Sequence, residues 1–314
     1  MALQGMYVAN ISNFVLNAFA KKLAPFMQIW ATNVSDQMPQ GNSVEVPYVG
    51  LEGAAVDLAD VSDDRSHETV SPRFDTTKKT VTLEHKPCRG FYVDPWEAAK
   101  AQAGILVKSL ELKIDNVCGA VALSVVNGMI NEVKAANFAN YVTVNPAAFD
   151  KDSVSRIRTL ADGLEWDDEA GILVINSDLH ESLREDGGIV DKSASGADTL
   201  NTGLLPNLHG FGIQKNRRVP PAGGAAADEN LVGFAALPSA MGIGMRPLSA
   251  TNAFGMTPEE FGLAAEEPLF DEEANVACTL SIWGAANTKQ LYHTVETWWG
   301  KAVMEAAALI RLKS

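Results

Sequence analysis

The run His180-Glu181-Ser182-Leu183-Arg184 opens like a zinc-protease helix, in which two imidazoles one turn apart hold the metal and the glutamate between them activates water. The fifth position is Arg184, whose guanidinium stays protonated and offers no lone pair, so a solvated helical face is the expectation instead. Phosphate cradles fail in a similar way. Gly242-Ile243-Gly244 and Gly210-Phe211-Gly212 both lack the third glycine of a dinucleotide fingerprint, and no Gly-Lys-Ser/Thr occurs. No Gly-x-Ser-x-Gly elbow is present to expose a serine nucleophile. The cysteines Cys88, Cys118 and Cys278 lie far apart, and none sits beside a histidine in a recognised local signature. His67, His85, His180, His209 and His293 are isolated from one another along the chain. No catalytic, cofactor-binding or metal-ligating residue is therefore assigned, and the chain is not expected to be an enzyme. One soluble-enzyme alternative stays open, with residues 50–78 as a lid over a pocket near His180 or His209.

Composition narrows the remaining classes. A chain of 314 residues, 46% hydrophobic and 20% charged, can bury about three quarters of its unfolded surface, which argues against disorder. The formal charge of −14 repels phosphate backbones and anionic lipid, so sequence-specific DNA reading is excluded. A weak basic patch is formed in sequence by Lys192, Lys215, Arg217, Arg218 and Arg246, and any contact with nucleic acid is expected to be non-specific. Three separated cysteines fit neither a disulfide framework nor a zinc cluster, and they read as small apolar residues in a reducing compartment. The longest apolar run, Gly233 to Met245, is broken by Pro238 and falls short of the roughly 18 to 20 residues that span a bilayer, so no membrane association is expected. Ala18-Phe19-Ala20 imitates a signal-peptidase site, but Asn10, Ser12, Asn13 and Asn17 interrupt any apolar core before it, and secretion is not expected.

The elements follow from apolar spacing. Val8, Ile11, Phe14, Val15, Phe19, Leu23, Phe26 and Trp30 recur at helical intervals in a nearly uncharged first 40 residues. This stretch is either an amphipathic arm seeking another surface or the first helix of an ordinary core. Period-two alternation at Val44, Val46 and Tyr48, and again at Val81, Leu83 and His85, implies two strands. Between them, residues 50–78 lack a core face, whereas connections within a compact domain usually take about 4 to 6 residues. The segment reads as an extended arm reaching a neighbouring subunit, or as a surface loop or lid.

Asp94-Pro95-Trp96-Glu97 has the chemistry of a helix start. The stripe Leu106, Leu110, Ile114, Val117, Val121, Val125, Met129 and Val133 extends the expected helix to about Ala136, roughly 40 residues and about 60 Å long. Beyond Pro146, Asp152 or Ser153 caps a helix with Val154, Ile157 and Leu160 inward and Gly163 at its end. Ile172 to Ile175 is a buried strand, and Asn176 or Ser177 caps the helix after it. Ile213 and Leu231 to Phe234 add strands to a mixed α/β domain, and the segments 277–283, 291–298 and 302–312 read as strand-rich or short helical elements that close the fold.

This order of elements resembles the major capsid proteins of tailed bacteriophages with the HK97-type fold. Ile172-Leu173-Val174-Ile175-Asn176-Ser177-Asp178-Leu179 is similar to the family's strand-to-helix step in the axial domain. Gly212-Ile213-Gln214-Lys215-Asn216-Arg217-Arg218-Val219-Pro220 is similar to its strand ending in a polar pair and Val-Pro. Leu231-Val232-Gly233-Phe234 with Gly242-Ile243-Gly244-Met245-Arg246-Pro247 resembles the exit from that domain. The resemblance implies an α+β fold with an N-terminal arm at 1–40, an extended loop at 41–93, a peripheral domain with a spine helix at 94–145 and 255–300, and an axial domain at 146–254 and 301–314. It also implies a coat protein whose copies form hexamers and pentamers of an icosahedral shell around double-stranded DNA, located in the virion and assembled in the host cytoplasm. The implied partners are further copies of itself, a separate scaffolding protein, a portal and a decoration protein, with non-specific contact to DNA. An encapsulin-type nanocompartment shell is the alternative within the same fold. Lys78 and Lys79 lie where some members crosslink their subunits, but no lysine is assigned that role.

Overall fold

The computed structural model describes residues 2–27, 31–35, 41–48, 77–94, 103–166, 171–186, 205, 207–220 and 230–314. The expected helix start at Pro95 to Glu97 and most of the segment 50–78 lie outside these residues. The chain forms two compact units, one from residues 1–46, 80–130 and 242–302, the other from 47–79, 131–241 and 303–314.

In the first unit, helix α1 (Ala2–Met27) places Ile11, Val15, Phe19 and Leu23 on one buried stripe. The stripe lies on the same chain's helix α2 (Ala103–Ile130), whose Ile114, Val117, Val121 and Val125 are buried in turn. The described part of the stripe, Ile11 to Leu23, is thus covered within its own unit except for Phe14, which stands exposed. Lys22 Nζ sits 2.9 Å from Asp115 Oδ2 at the exposed rim of this pair, where screening leaves an ion pair worth no more than about 1 kcal/mol.

Four antiparallel strands stand in the order β10-β11-β12-β4, with β4 (Cys88–Val93) at the edge, followed by β12 (Gln290–Glu296), β11 (Val276–Ala285) and β10 (Ala265–Asp271). The register sets Phe91 opposite His293 and Tyr92 opposite Tyr292. A second sheet joins β1 (Thr32–Ser35) in parallel to β9 (Met241–Arg246), and β9 to β13 (Trp298–Val303). The two strands expected from period-two alternation are β2 (Ser43–Tyr48) and β3 (Thr77–Thr82), and they pair with each other. His85 falls beyond β3, in an isolated bridge to Trp299.

In the second unit a mixed five-stranded sheet runs β5-β14-β8-β6-β7. Its strands are β5 (Tyr141–Thr143), β14 (Leu309–Lys313), β8 (Leu231–Ala236), β6 (Ile172–Ile175) and β7 (Gly212–Lys215). Every residue of β8 is buried, which is why Leu231 to Ala236 is a continuous small and aliphatic run rather than an alternating one. Gly233 is required there: a Cβ would stand 2.8 Å from the Val174 carbonyl. Arg311 on β14 is buried and donates from Nε to the Phe138 carbonyl at 2.7 Å, so its charge is not left without a hydrogen-bond acceptor.

Local chemistry corrects several boundaries. α2 ends at Ile130, not near Ala136. Val133 and Phe138 turn into the interior of the second unit, and Asn137 Nδ2 donates to the Glu132 carbonyl at 2.9 Å, closing a turn where another helical turn was expected. Helix α3 (Lys151–Asp162) is capped by Asp150, not by Asp152 or Ser153. Asp150 Oδ1 accepts from Ser153 N and Ser153 Oγ, both at 2.8 Å. Phe149 and Val154, the staple positions on either side of that cap, are both buried and set where the helix starts. Leu160 is only half-buried, while Arg158 and Ala161 face the interior. Helix α4 (Ser177–Glu185) is capped by Asn176, whose Oδ1 accepts from Leu179 N at 2.9 Å while Nδ2 donates to the Pro220 carbonyl at 2.8 Å.

Candidate functional site

The residues whose chemistry could have served catalysis are dispersed. In the first unit His85 lies against the Trp299 ring, with centroids 4.8 Å apart. His293 is fully buried and stacked on Phe91 at 4.7 Å and 4°. In the second unit His180 is half-buried on α4 and His209 occupies a turn with φ 49°. His67 lies outside the described residues. Burial, then the Lys215 cation, hold His180 below its ordinary value. Arg184 at the fifth position of that run lies 3.5 Å from Glu181, on an exposed face. Among the described residues no group of three His, Cys, Asp or Glu side chains could hold a metal ion.

The cysteines divide by environment. Cys118 and Cys278 are buried like small apolar residues, and burial pushes the Cys118 thiol up to about 12 and Cys278 well above its ordinary value. A thiol at such a value carries almost no thiolate near neutral pH. Cys88 departs from the apolar reading, since it is exposed on the edge strand β4.

The glycine and arginine motifs are used for structure. Gly242 and Gly244 belong to β9, and a Cβ at Gly244 would meet Val44 at 3.0 Å, so the missing side chain admits a neighbouring strand rather than a phosphate. Arg246 does not join a basic patch. It is buried, and its Nη1 and Nη2 donate to the carbonyls of Gly41 and Ser43, tying that segment to β9. Lys192 lies outside the described residues. Asn216 Oδ1 accepts from Arg218 N at 2.9 Å, which makes Arg217-Arg218 the tip of an Asx turn.

His293 makes stability depend on pH. Burial is the main cause that lowers its value to about 4, whereas an imidazole in the unfolded chain titrates near pH 6.5. Between those values the unfolded chain takes up a proton that the folded chain does not, so stability present above about pH 6.5 falls with pH, by roughly 3 kcal/mol in all. Urea midpoints at pH 7 and pH 4.5 are expected to show this loss, and His293→Gln to reduce it. An equal loss in the variant would assign the slope to other groups.

Among the described residues, the surface offers features that could act. Large apolar side chains stand exposed at Leu112 (64%) and Phe254 (70%), and also at Met256 and Phe261. Phe254 and Phe261 stack on each other, with centroids 5.9 Å apart. The turn between them is held by Glu260 Oε2 accepting from Thr257 N at 2.8 Å, and these bonds from Thr257 hold the Glu260 carboxyl below its ordinary value. An open groove of about 630 Å³ lies between β4 and α2. Sequence reasoning passed over Leu112 and Phe254, although a signal existed for the first: Leu112 interrupts the polar face of the α2 pattern, between the buried Leu110 and Ile114.

No protein-family model and no curated protein matches this sequence. Solved structures do match it over most of their length. The capsid of a native GTA particle aligns at TM-score 0.53 and 18% identity, covering 93% of this chain and 90% of that one. A structure from Mycobacterium phage Che8 aligns at TM-score 0.50 and 14% identity, covering 87% and 85%. The asymmetric unit of the bacteriophage PhiM1 mature capsid aligns at TM-score 0.50 and 12% identity, covering 90% and 85%. The fold shared with these structures is the α+β, HK97-like capsid fold expected from the sequence.

Proposed function

We propose that this chain is a structural coat protein whose copies assemble into hexamers and pentamers of an icosahedral capsid enclosing double-stranded DNA. The observation that carries the reading is the likeness of nearly the whole chain, rather than one domain, to capsid structures. Residues 1–40 then serve as the N-terminal arm, 41–93 as the extended loop, 94–145 with 255–300 as the peripheral domain, and 146–254 with 301–314 as the axial domain. The net charge of −14 favours an inner surface to which genomic DNA does not adhere. A separate scaffolding protein, a portal and a decoration protein are the expected partners, and the virion the expected location.

Expression of the chain with its neighbouring genes, followed by electron microscopy of the lysate, tests this. Uniform closed shells or capsomer rings are expected. A small soluble oligomer under every co-expression would overturn the shell reading, and shells holding an enzyme cargo instead of DNA would replace the virion with a nanocompartment.

A further inference from the structure

We infer that the face of the sheet β10-β11-β12-β4 that carries Glu266 and Glu296 binds a hard divalent cation, calcium by its donor set. The site lies within one subunit and braces β10 and β12, which flank β11 and do not pair with each other. It goes beyond the shell reading and does not depend on it.

Side chains alternate across a pleated sheet, so residues two apart on β11 point to the same face. Thr279 and Ser281 therefore share a face. The register sets Glu266 of β10 opposite Ser281, and Glu296 of β12 opposite Thr279. Thr294 stands opposite Ser281 on β12 and joins them. The reverse of the sheet is apolar here, with Cys278, Leu280, Ile282 and Val295 all buried. Two carboxylates and three hydroxyls from neighbouring strands thus share one patch. Only two acids belong to it, and the hydroxyls supply the remaining donors.

Thr279 is wholly buried, at 0% exposure, and Ser281 nearly so. Thr279 Oγ1 and Thr294 Oγ1 are both buried without a hydrogen-bond partner among the described residues, a state that costs free energy and that native proteins seldom leave unanswered. Glu266 is fixed in place: its Oε2 accepts from Ser249 Oγ at 2.9 Å, from Thr251 N at 3.0 Å and from Thr251 Oγ1. Glu296 is half-buried, with the exposed Cys88 opposite it on β4. Burial, then the Glu266 carboxylate, hold the Glu296 carboxyl above its ordinary value, so the two acids act on each other across β11. Lys86 also acts on Glu296, but it is exposed and its ammonium lies over the Trp298 ring, 4.9 Å from the centroid. A divalent cation between the two carboxylates cancels their repulsion and takes the buried hydroxyl oxygens as ligands. A mixed set of charged and neutral oxygens suits calcium, which accepts about six to eight of them in flexible geometry, whereas magnesium demands a near-ideal octahedron.

Calcium titration of the full chain tests the inference. The chain is stripped with EGTA, and equilibrium dialysis against radioactive calcium, with thermal melts in parallel, compares it with Glu296→Gln and Thr279→Val. The unaltered chain is expected to bind a single calcium ion that excess magnesium does not displace, and to melt higher as that ion saturates. Glu296→Gln is expected to lose about tenfold or more in calcium affinity. In EGTA the same variant should melt no lower than the unaltered chain, because a charge repelled by Glu266 is gone. Thr279→Val keeps the shape of the side chain and is expected to weaken the site severalfold, while its melt in EGTA holds or rises with the unpartnered hydroxyl removed. No calcium response in the unaltered chain would overturn the inference. Equal calcium shifts in the unaltered chain and both variants would reveal diffuse binding to a chain of charge −14 and overturn it as well. A Glu296→Gln chain that melts lower in EGTA and in calcium alike would assign Glu296 a purely structural role, against the inference. None of these outcomes bears on assembly, so the shell reading stands or falls on its own experiment.

Discussion

Subunits in which residues 50–76 are replaced by a short Asn-Gly turn are expected to fold and yet to form no closed particles. The ladder of β2 and β3 that flanks the segment keeps its own partners, and Asn-Gly suits the tight turn that would join the two strands. Shortening a loop lowers the entropy of closing it, so the unfolding midpoint should stay level or rise slightly. Assembly is different, because every subunit contact that uses the segment disappears at once. A loss of only about 2.7 kcal/mol at each contact weakens it a hundredfold, and a closed shell multiplies that deficit over all its contacts. Sedimentation and electron microscopy of the variant beside the unaltered chain check this. Normal particles from the shortened chain would show that the segment is a surface loop, the other reading its composition allows.

The largest effect on folding is expected at Gly300. A Cβ placed there would stand 2.0 Å from the Thr82 carbonyl oxygen and 3.1 Å from the Leu83 Cα, both backbone atoms. Neither can swing aside as a side-chain tip would. Gly300→Ala must push β13 away from the chain beyond β3, where Glu84 N and His85 N donate to the Trp299 carbonyl at 3.2 and 3.0 Å. Trp299 is buried beside this contact, over Gly128 of α2, and Lys301 Nζ donates to the Gly128 carbonyl at 2.7 Å. Displacing β13 therefore disturbs the strand, the indole and the helix together, at a cost of about 3 kcal/mol. A chemical denaturation curve should show a lower midpoint for the alanine variant. Gly284→Ala is the control, since nothing lies within 4 Å of a Cβ at that position, and it should be nearly neutral. Equal effects at the two glycines would discard the steric account.

Much of the fold was legible in short stretches of sequence. Ile172 to Ile175 is a buried strand because four consecutive aliphatic residues suit a position covered on both faces, and the asparagine after it caps α4 because its side chain can reach the amide three residues on. Local chemistry places the cap of α3 two residues or more beyond Asp150, where the structure has it. Aspartates at 150 and 152 are equivalent as local chemistry, and burial of Phe149 decides between them. The end of α2 escapes a local window for a related reason: Val133 continues the helical spacing, but it belongs to the second unit and is buried there. Arg246 looks like a surface cation in the sequence because charge is visible there and burial is not.

Taken alone, the sequence determined helices α1 to α4 and strands β2, β3, β6, β7 and β8, the caps of α3 and α4 to within two residues, the absence of any recognised catalytic motif and the order of parts that resembles capsid proteins. Each of these depends on residues a few positions apart, whose spacing sets which face they share and which backbone groups they can reach. Only the tertiary structure decided that α1 covers its stripe on α2, that β4 pairs with β12 about 200 residues away and remains an edge, and that Arg89 and Lys108 share a groove with Leu112. Those outcomes are set by which apolar faces bury each other best across the whole chain, a sum over distant contacts that no local window contains.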